Sequence, residues 1–120
     1  MSLSVGTDII EIHRVAAVIE RWQDKFLERV YTPSELRHCR GRVPELAARF
    51  AGKEAISKAL GTGIRGLAWR DMEILPDPLG KPTVTLHNRA MQRARSIGLT
   101  VFEISLSHAR DFAVAVVVAQ

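Results

Sequence analysis

The stretch from Pro44 to Leu60, PELAARFAGKEAISKAL, restricts the fold more than any other part of the chain. Proline at its opening carries a pre-set φ and lacks an N–H that a first helical turn leaves unused, and Gly61 supplies the usual terminator. The spacing predicts a helix over 44–60. Along it Phe50, Glu54 and Lys58 follow at four-residue steps, with Ala47, Ala51 and Ser57 beside them, so an apolar stripe runs into a charged pair. On a solvated surface such a pair contributes roughly 0.2–0.5 kcal/mol and has no further meaning. Here alanine and glycine let another element approach closely, and a charge in that position is poorly solvated, which points to a site.

The remaining elements alternate around this helix. Residues 3–11 read as a strand, and Val15, Val18, Ile19 and Trp22 predict a helix over 13–26 whose other side carries Arg14, Arg21 and Lys25 on one face. Thr32-Pro-Ser-Glu35 is a helix-start signature, with threonine as cap and glutamate three residues on, and that short helix fades by Gly41. Residues 67–75 alternate as a strand, 76–82 form a turn, and 83–86 complete a hairpin. Asn88 caps a helix running to Ile97 and ended by Gly98. Strands over 99–107 and Phe112–Ala119 close the chain, joined by His108-Ala-Arg-Asp111. No repeat or linker interrupts the order, so residues 1–120 read as one domain. The class is α+β, a largely antiparallel sheet packed with helices, the long helix central.

Within the first strand, SVGTDIIEI, Asp8 is out of place. An ionised carboxylate withdrawn from water costs several kcal/mol or more unless a positive group meets it. That group must lie elsewhere in the chain or be a bound metal. The chain carries 17 Lys and Arg against 13 Asp and Glu, a modest excess that suits an acidic partner or a phosphate-bearing ligand. Aromatic content of 6% offers no stacking platform for nucleic acid. No apolar run approaches the length of a membrane span, no leader opens the chain, and Cys39 has no second cysteine to bridge, so the expected setting is a reducing cytoplasm.

Few residue patterns carry chemistry. Gly61-Thr-Gly63 and Gly66 match neither a Walker loop nor the dinucleotide fingerprint, both of which put glycines before a helix. His13, His38 and His87 lack zinc-ligand spacing. His108 sits in a turn, where a ligand contact and a local backbone hydrogen bond are equally open. Asp8 and Glu54 remain, two hard oxygen ligands of the kind that hold Mg²⁺ together with substrate phosphates. A metal would then be the positive charge that Asp8 needs.

Gly6-Thr-Asp-Ile-Ile-Glu-Ile12, Phe50-Ala-Gly-Lys-Glu-Ala55 running into Lys58-Ala-Leu-Gly-Thr-Gly63, Gly80-Lys-Pro82, and Ser105-Leu-Ser-His108 before Ala113-Val-Ala115 together resemble the holo-acyl-carrier-protein synthase family of 4'-phosphopantetheinyl transferases. The resemblance implies transfer of the phosphopantetheine arm of coenzyme A to a serine of a small acidic acyl carrier protein, releasing adenosine 3',5'-bisphosphate. It implies homotrimers with sites between protomers. Asp8 and Glu54 match the family's Mg²⁺ ligands, and Lys58 a lysine near the coenzyme A diphosphate. Gly63, Lys81, Pro82 and His108 fall in segments that line the nucleotide site, and Arg14 and Arg21 match a basic first helix that docks the carrier. Glu54, directly or through water, is the candidate base for the incoming serine. Gly52 stands where the family pattern has alanine and Asn88 where glycine is usual, and the 38–42 segment is compact. Two readings compete: another Mg²⁺-dependent phosphate enzyme working without a carrier, and a basic nucleic-acid-binding module.

Overall fold

The structure, a computed structural model, describes residues 3–120. Three strands, β1 (Ser4–Glu11), β4 (Phe102–His108) and β5 (Phe112–Ala119), form an antiparallel sheet in the order β1-β5-β4. In β5 the alternation FAVAVVVA divides cleanly: Ala113, Ala115, Val117 and Ala119 are buried, while Phe112, Val116 and Val118 face outward. Five helices accompany the strands: α1 (Ile12–Trp22), α2 (Asp24–Val30), α3 (Pro33–Cys39), α4 (Val43–Ala59) and α5 (Asn88–Ser96). The 17-residue α4 presents Ala47, Ala51, Ala55 and Ala59, all buried at four-residue intervals, to β1 and β5. Small residues on both surfaces bring helix and sheet into near backbone contact. At Gly6 the approach is so close that an added Cβ would collide with the Ala55 carbonyl oxygen. Gly52 has a similar explanation, since an alanine methyl there would meet Ile74 Cδ1 at 2.5 Å.

A second, separate sheet pairs β2 (Met72–Pro76) with β3 (Pro82–Leu86), so the expected single sheet resolves into two. Met72, Ile74, Leu86 and Ile104 join the α4 alanines and the inner face of α5 in the main core. Both hairpins are antiparallel, as the turn spacing requires.

Four boundaries differ from the sequence expectation, each for a local reason. The helix expected over 13–26 breaks at Gln23, whose φ is 49°. The break turns α2 so that Phe26 packs against Tyr31 and Phe50, with ring centroids 6.1 Å away in each case. Lys25 therefore leaves the helix that carries Arg14 and Arg21. The strand expected from 67 begins only at Met72, because Trp69–Asp71 form a 3₁₀ turn in which Asp71 accepts the Ala68 N–H. Asn88 does not cap α5. Its φ is 47°, a region open mainly to glycine and asparagine, and its side chain donates to Asp71 Oδ1 at 3.2 Å. That backbone explains why asparagine stands where glycine is usual. His108 is the last residue of β4 rather than part of the turn, and 99–101 precede the strand.

Beneath α3 lies a buried ion pair. Thr32 and Glu35 form the expected capping box. The same Glu35 accepts Lys53 Nζ at 2.8 Å and the Ile74 N–H at 2.9 Å. Lys53 spends its other two protons on the Trp69 and Met72 carbonyls, at 3.1 and 2.6 Å. Both side chains are 0% exposed, and every donor of the ammonium is used. Burial pulls the Lys53 ammonium below its usual range, and the Glu35 charge opposes that pull. The pair ties α3, α4 and β2 together.

Candidate active site

Strand β1 and helix α4 meet at Gly6 and Ala55, and the residues just beyond that contact are Asp8 on the strand and Glu54 and Lys58 on the helix. Lys58 Nζ donates to the Thr7 carbonyl at 2.9 Å and to Asp8 Oδ1 at 3.1 Å. The positive group that meets the strand carboxylate in this structure is therefore Lys58. Asp8 is largely covered, with 20% of its side chain exposed, and Lys58 is half exposed. Among the described residues Glu54 has no such partner within salt-bridge distance. Its carboxyl is pushed above the usual range, first by burial and then by the charge of Asp8, with Lys58 pulling the other way. Two carboxylates thus share one lysine, a local surplus of negative charge that draws a cation.

These three residues line a cleft of about 550 Å³. Arg14 and Glu11 complete its polar side. The opposite wall is apolar, built from Val15, Val18, Phe26 and Phe50. Phe50 is stacked on Trp69 at a centroid distance of 4.9 Å, which backs the wall with a second ring. Phe26 and Glu11 were not singled out by sequence. Phe26 reaches the cleft only because of the break at Gln23, which no residue type announces, whereas Glu11 lies inside the Gly6–Ile12 segment. Arg14 stands 3.9 Å from Glu11, and Arg21 holds its guanidinium 5.1 Å from the ring centroid of the exposed Trp22.

The remaining predicted residues lie elsewhere in this chain. Gly63, with φ at 60°, donates its N–H to the Ser57 carbonyl beyond the end of α4. Lys81 pairs with Glu103 at 2.7 Å in an exposed position, and Pro82 opens β3. His108 Nε2 is 3.6 Å from Glu45, which also receives Arg49 at 3.2 Å. None of the four lines the cleft. Arg49, almost fully buried and also bonded to the Ile74 carbonyl, is a cation that sequence reading passed over in this second cluster.

As a cation site the cleft is sparse. Among the described residues no three His, Cys, Asp or Glu side chains cluster as a metal site. Asp8 and Glu54 are two hard oxygen donors, which suits Mg²⁺ only where water and a phosphate-bearing substrate supply the other positions. The surplus charge at Glu54 fits that role.

Comparison with known proteins follows the same lines. A family model described as the 4'-phosphopantetheinyl transferase superfamily matches residues 4–117. The chain is 45% identical to a holo-[acyl-carrier-protein] synthase of Koribacter versatilis over 122 residues, covering 98% of each. It is 47% identical to the protein of that name from Dehalococcoides mccartyi over 118 residues, again covering 98% of each. Among solved structures, the Helicobacter pylori holo-[acyl-carrier-protein] synthase in complex with coenzyme A superposes with a TM-score of 0.89 at 37% identity, over 97% of this chain and 99% of that one.

Proposed function

The chain belongs to the 4'-phosphopantetheinyl transferase superfamily, and from that premise we propose how its cleft works as a holo-[acyl-carrier-protein] synthase. The enzyme transfers the phosphopantetheine group of coenzyme A to a serine of apo acyl carrier protein. The observation that carries the residue assignment is the meeting of Asp8, Glu54 and Lys58 in one cleft. In the transfer, the serine oxygen forms a bond to the β-phosphorus and the bond from that phosphorus to the bridging oxygen breaks. Adenosine 3',5'-bisphosphate leaves with the electron pair. Phosphoryl transfer is mostly positioning and charge stabilisation, so few protein groups are needed. Lys58, held by the Thr7 carbonyl, faces the charge that grows on the leaving phosphate. Glu54 takes the serine proton, directly or through water, and its burial raises its own affinity for that proton. Asp8 and Glu54 are the residues that would hold Mg²⁺, which would neutralise the coenzyme A diphosphate. Arg14 and Arg21 share one face of α1 beside the cleft and offer an acidic carrier a basic landing.

Trimer assembly is supported by the outer face of the three-stranded sheet. Val5 and Ile9 of β1 are 65% and 62% exposed, and Phe112, Val116 and Val118 of β5 stand beside them. An apolar sheet face of this kind on a protein in water marks an association surface. Assembly through it would let Gly63, Lys81, Pro82 and His108 serve a neighbouring protomer's cleft rather than their own. Val116→Asp should yield a monomer by light scattering, with folded circular dichroism and transfer reduced more than about tenfold. A trimer that survives this substitution would show that the face is not the interface. The whole chain reads as one transferase domain. The described residues contain no helix long and apolar enough to cross a membrane, and the buried Cys39 thiol suits a reducing cytoplasm.

The deciding experiment is the intact mass of an apo acyl carrier protein incubated with this enzyme, coenzyme A and Mg²⁺, with and without EDTA. A gain of one phosphopantetheine unit, abolished by EDTA and restored by excess Mg²⁺, is expected. Turnover of coenzyme A with no carrier present would favour a hydrolytic phosphate enzyme instead, and a mass gain insensitive to EDTA would remove the metal from the reading.

A further inference from the structure

A second recess lies between the loop that follows α4 and the outer surface of α5. Its volume is about 430 Å³, and none of its lining residues lines the cleft. The loop contributes Thr62 and Arg65, and α5 contributes Arg89, Gln92, Arg93 and Ser96. Three arginines therefore converge, and no lining residue is acidic.

That concentration of charge is costly as it stands. Arg89 and Arg93 are four residues apart on one helix, where like charges repel. The helix sequence, NRAMQRARS, contains no carboxylate to offset them, and Arg89 occupies the first turn, where a cation opposes the backbone dipole. Elsewhere Lys53 is matched by Glu35, Lys58 by Asp8, Lys81 by Glu103 and Arg49 by Glu45, whereas scattered exposed arginines such as Arg29, Arg37 and Arg40 are unmatched among the described residues; the recess differs from those in gathering three such arginines at one place. Arg65, Arg89 and Arg93 have no such carboxylate among the described residues. Arg93 is also held in place, its Nε donating to the Leu60 carbonyl at 2.9 Å, while its Nη2 sits over Gly61. The hydroxyls of Thr62 and Ser96 already donate to the Gly63 and Arg93 carbonyls, so recognition of a ligand falls to the guanidinium groups.

Guanidinium forks match phosphate oxygens in pairs. We propose that this recess binds a phosphorylated anion, a diphosphate or a phosphate monoester, at a site separate from the transfer cleft. An anion held there ties the 61–66 loop, which continues α4 beyond Lys58, to α5. The proposal concerns binding and does not depend on the transferase reading.

The test is calorimetric titration of the full-length protein at low ionic strength with pyrophosphate and, separately, with adenosine 3',5'-bisphosphate. Three proteins are compared: the native chain, R65Q/R89Q, and R29Q/R37Q, which removes the same charge elsewhere. Pyrophosphate affinity should fall about tenfold or more in R65Q/R89Q and stay within twofold in R29Q/R37Q, since a charge-assisted contact is worth on the order of one decade of affinity. KM for coenzyme A should be unchanged. If the binding component removed by R65Q/R89Q is tighter for the nucleotide than for pyrophosphate, the ligand is a nucleotide; if the two are equal, the phosphates alone are read. Equal weakening in both variants would reduce the recess to diffuse surface charge and overturn the proposal. So would undetectable pyrophosphate binding to the native chain, or a KM for coenzyme A that rises in R65Q/R89Q, which would make the recess part of the cleft.

Discussion

Glu54→Ala lowers the rate of transfer to the apo carrier by about 10²–10³-fold, the usual loss when one pre-placed group serving the transition state is removed, and it does so without lowering the melting temperature. The second half of that result is the informative one. The Glu54 carboxyl is raised by burial and by the neighbouring Asp8, so its ionised form is disfavoured in the folded protein. A carboxylate with a raised folded value stabilises the fold only while protonated, and that contribution is lost as pH rises through the folded value. At neutral pH the native residue is therefore a liability to the fold. Glu54→Gln should be at least as stable as the native protein there, with the difference closing as pH falls below the ordinary glutamate value of about 4.3. Thermal melts across that range, read beside initial rates from intact-mass assays, check both parts. Asp8→Ala should lose comparable activity while freeing Lys58. Near-native turnover in both alanine variants would remove the pair from the chemistry, and a loss of stability at Glu54 equal to the loss of activity would make its role structural.

Lys53→Met is expected to cost about 3–5 kcal/mol, because it leaves Glu35 charged, buried and without its cation. Total stabilities of roughly 5–15 kcal/mol make that a large share. Glu35 cannot turn to water for relief, since the Thr32 and Ile74 N–H groups hold both its oxygens. Pairing the change with Glu35→Leu removes the stranded charge but leaves those two N–H groups without their acceptor. The double variant should recover part of the loss and not all of it, a coupling that urea unfolding of the four proteins in the cycle measures directly. A double variant whose loss equals the sum of the two single losses would mean that the pair is uncoupled. Lys53 and Glu54 are adjacent in sequence yet point to different sides of α4, and the two residues are expected to fail in different assays: one in unfolding, the other in turnover.

The sequence showed the ends of α4, the capping box at Thr32, the alternation of β5 and the two acids of the cleft, each for a reason visible in residue type. Proline and glycine bound the helix, the Thr32 and Glu35 side chains satisfy each other's backbone, and a charge amid small apolar residues is conspicuous. What stayed hidden depended on partners distant in the chain. The break at Gln23 is carried by a residue with no turn preference and is favoured by the packing of Phe26 on Tyr31 and Phe50. Lys53 drew no reading of its own, because nothing nearby in sequence shows that Glu35, 18 residues away, and two carbonyls close around it. The answer to Asp8 was divided in the same way. A positive partner was demanded by the strand, but that Lys58 supplies it, reaching across from α4, is a fact of tertiary packing.

The contact of Gly6 with the Ala55 carbonyl gives the two acids an unusual kind of ruler. The separation of the two backbones that carry them is a main-chain dimension, set where one backbone stops another, with no side chain standing between strand and helix at that contact. Drift elsewhere in the core can accumulate without detuning that interval, since large side chains can trade volume among themselves while the stop stays put. The same arrangement leaves no gentle way to retune it. The smallest possible enlargement at position 6 already moves the strand, so variation at this contact is all or nothing, and a lineage wanting a wider interval would have to rebuild the helix–sheet junction rather than edit a residue.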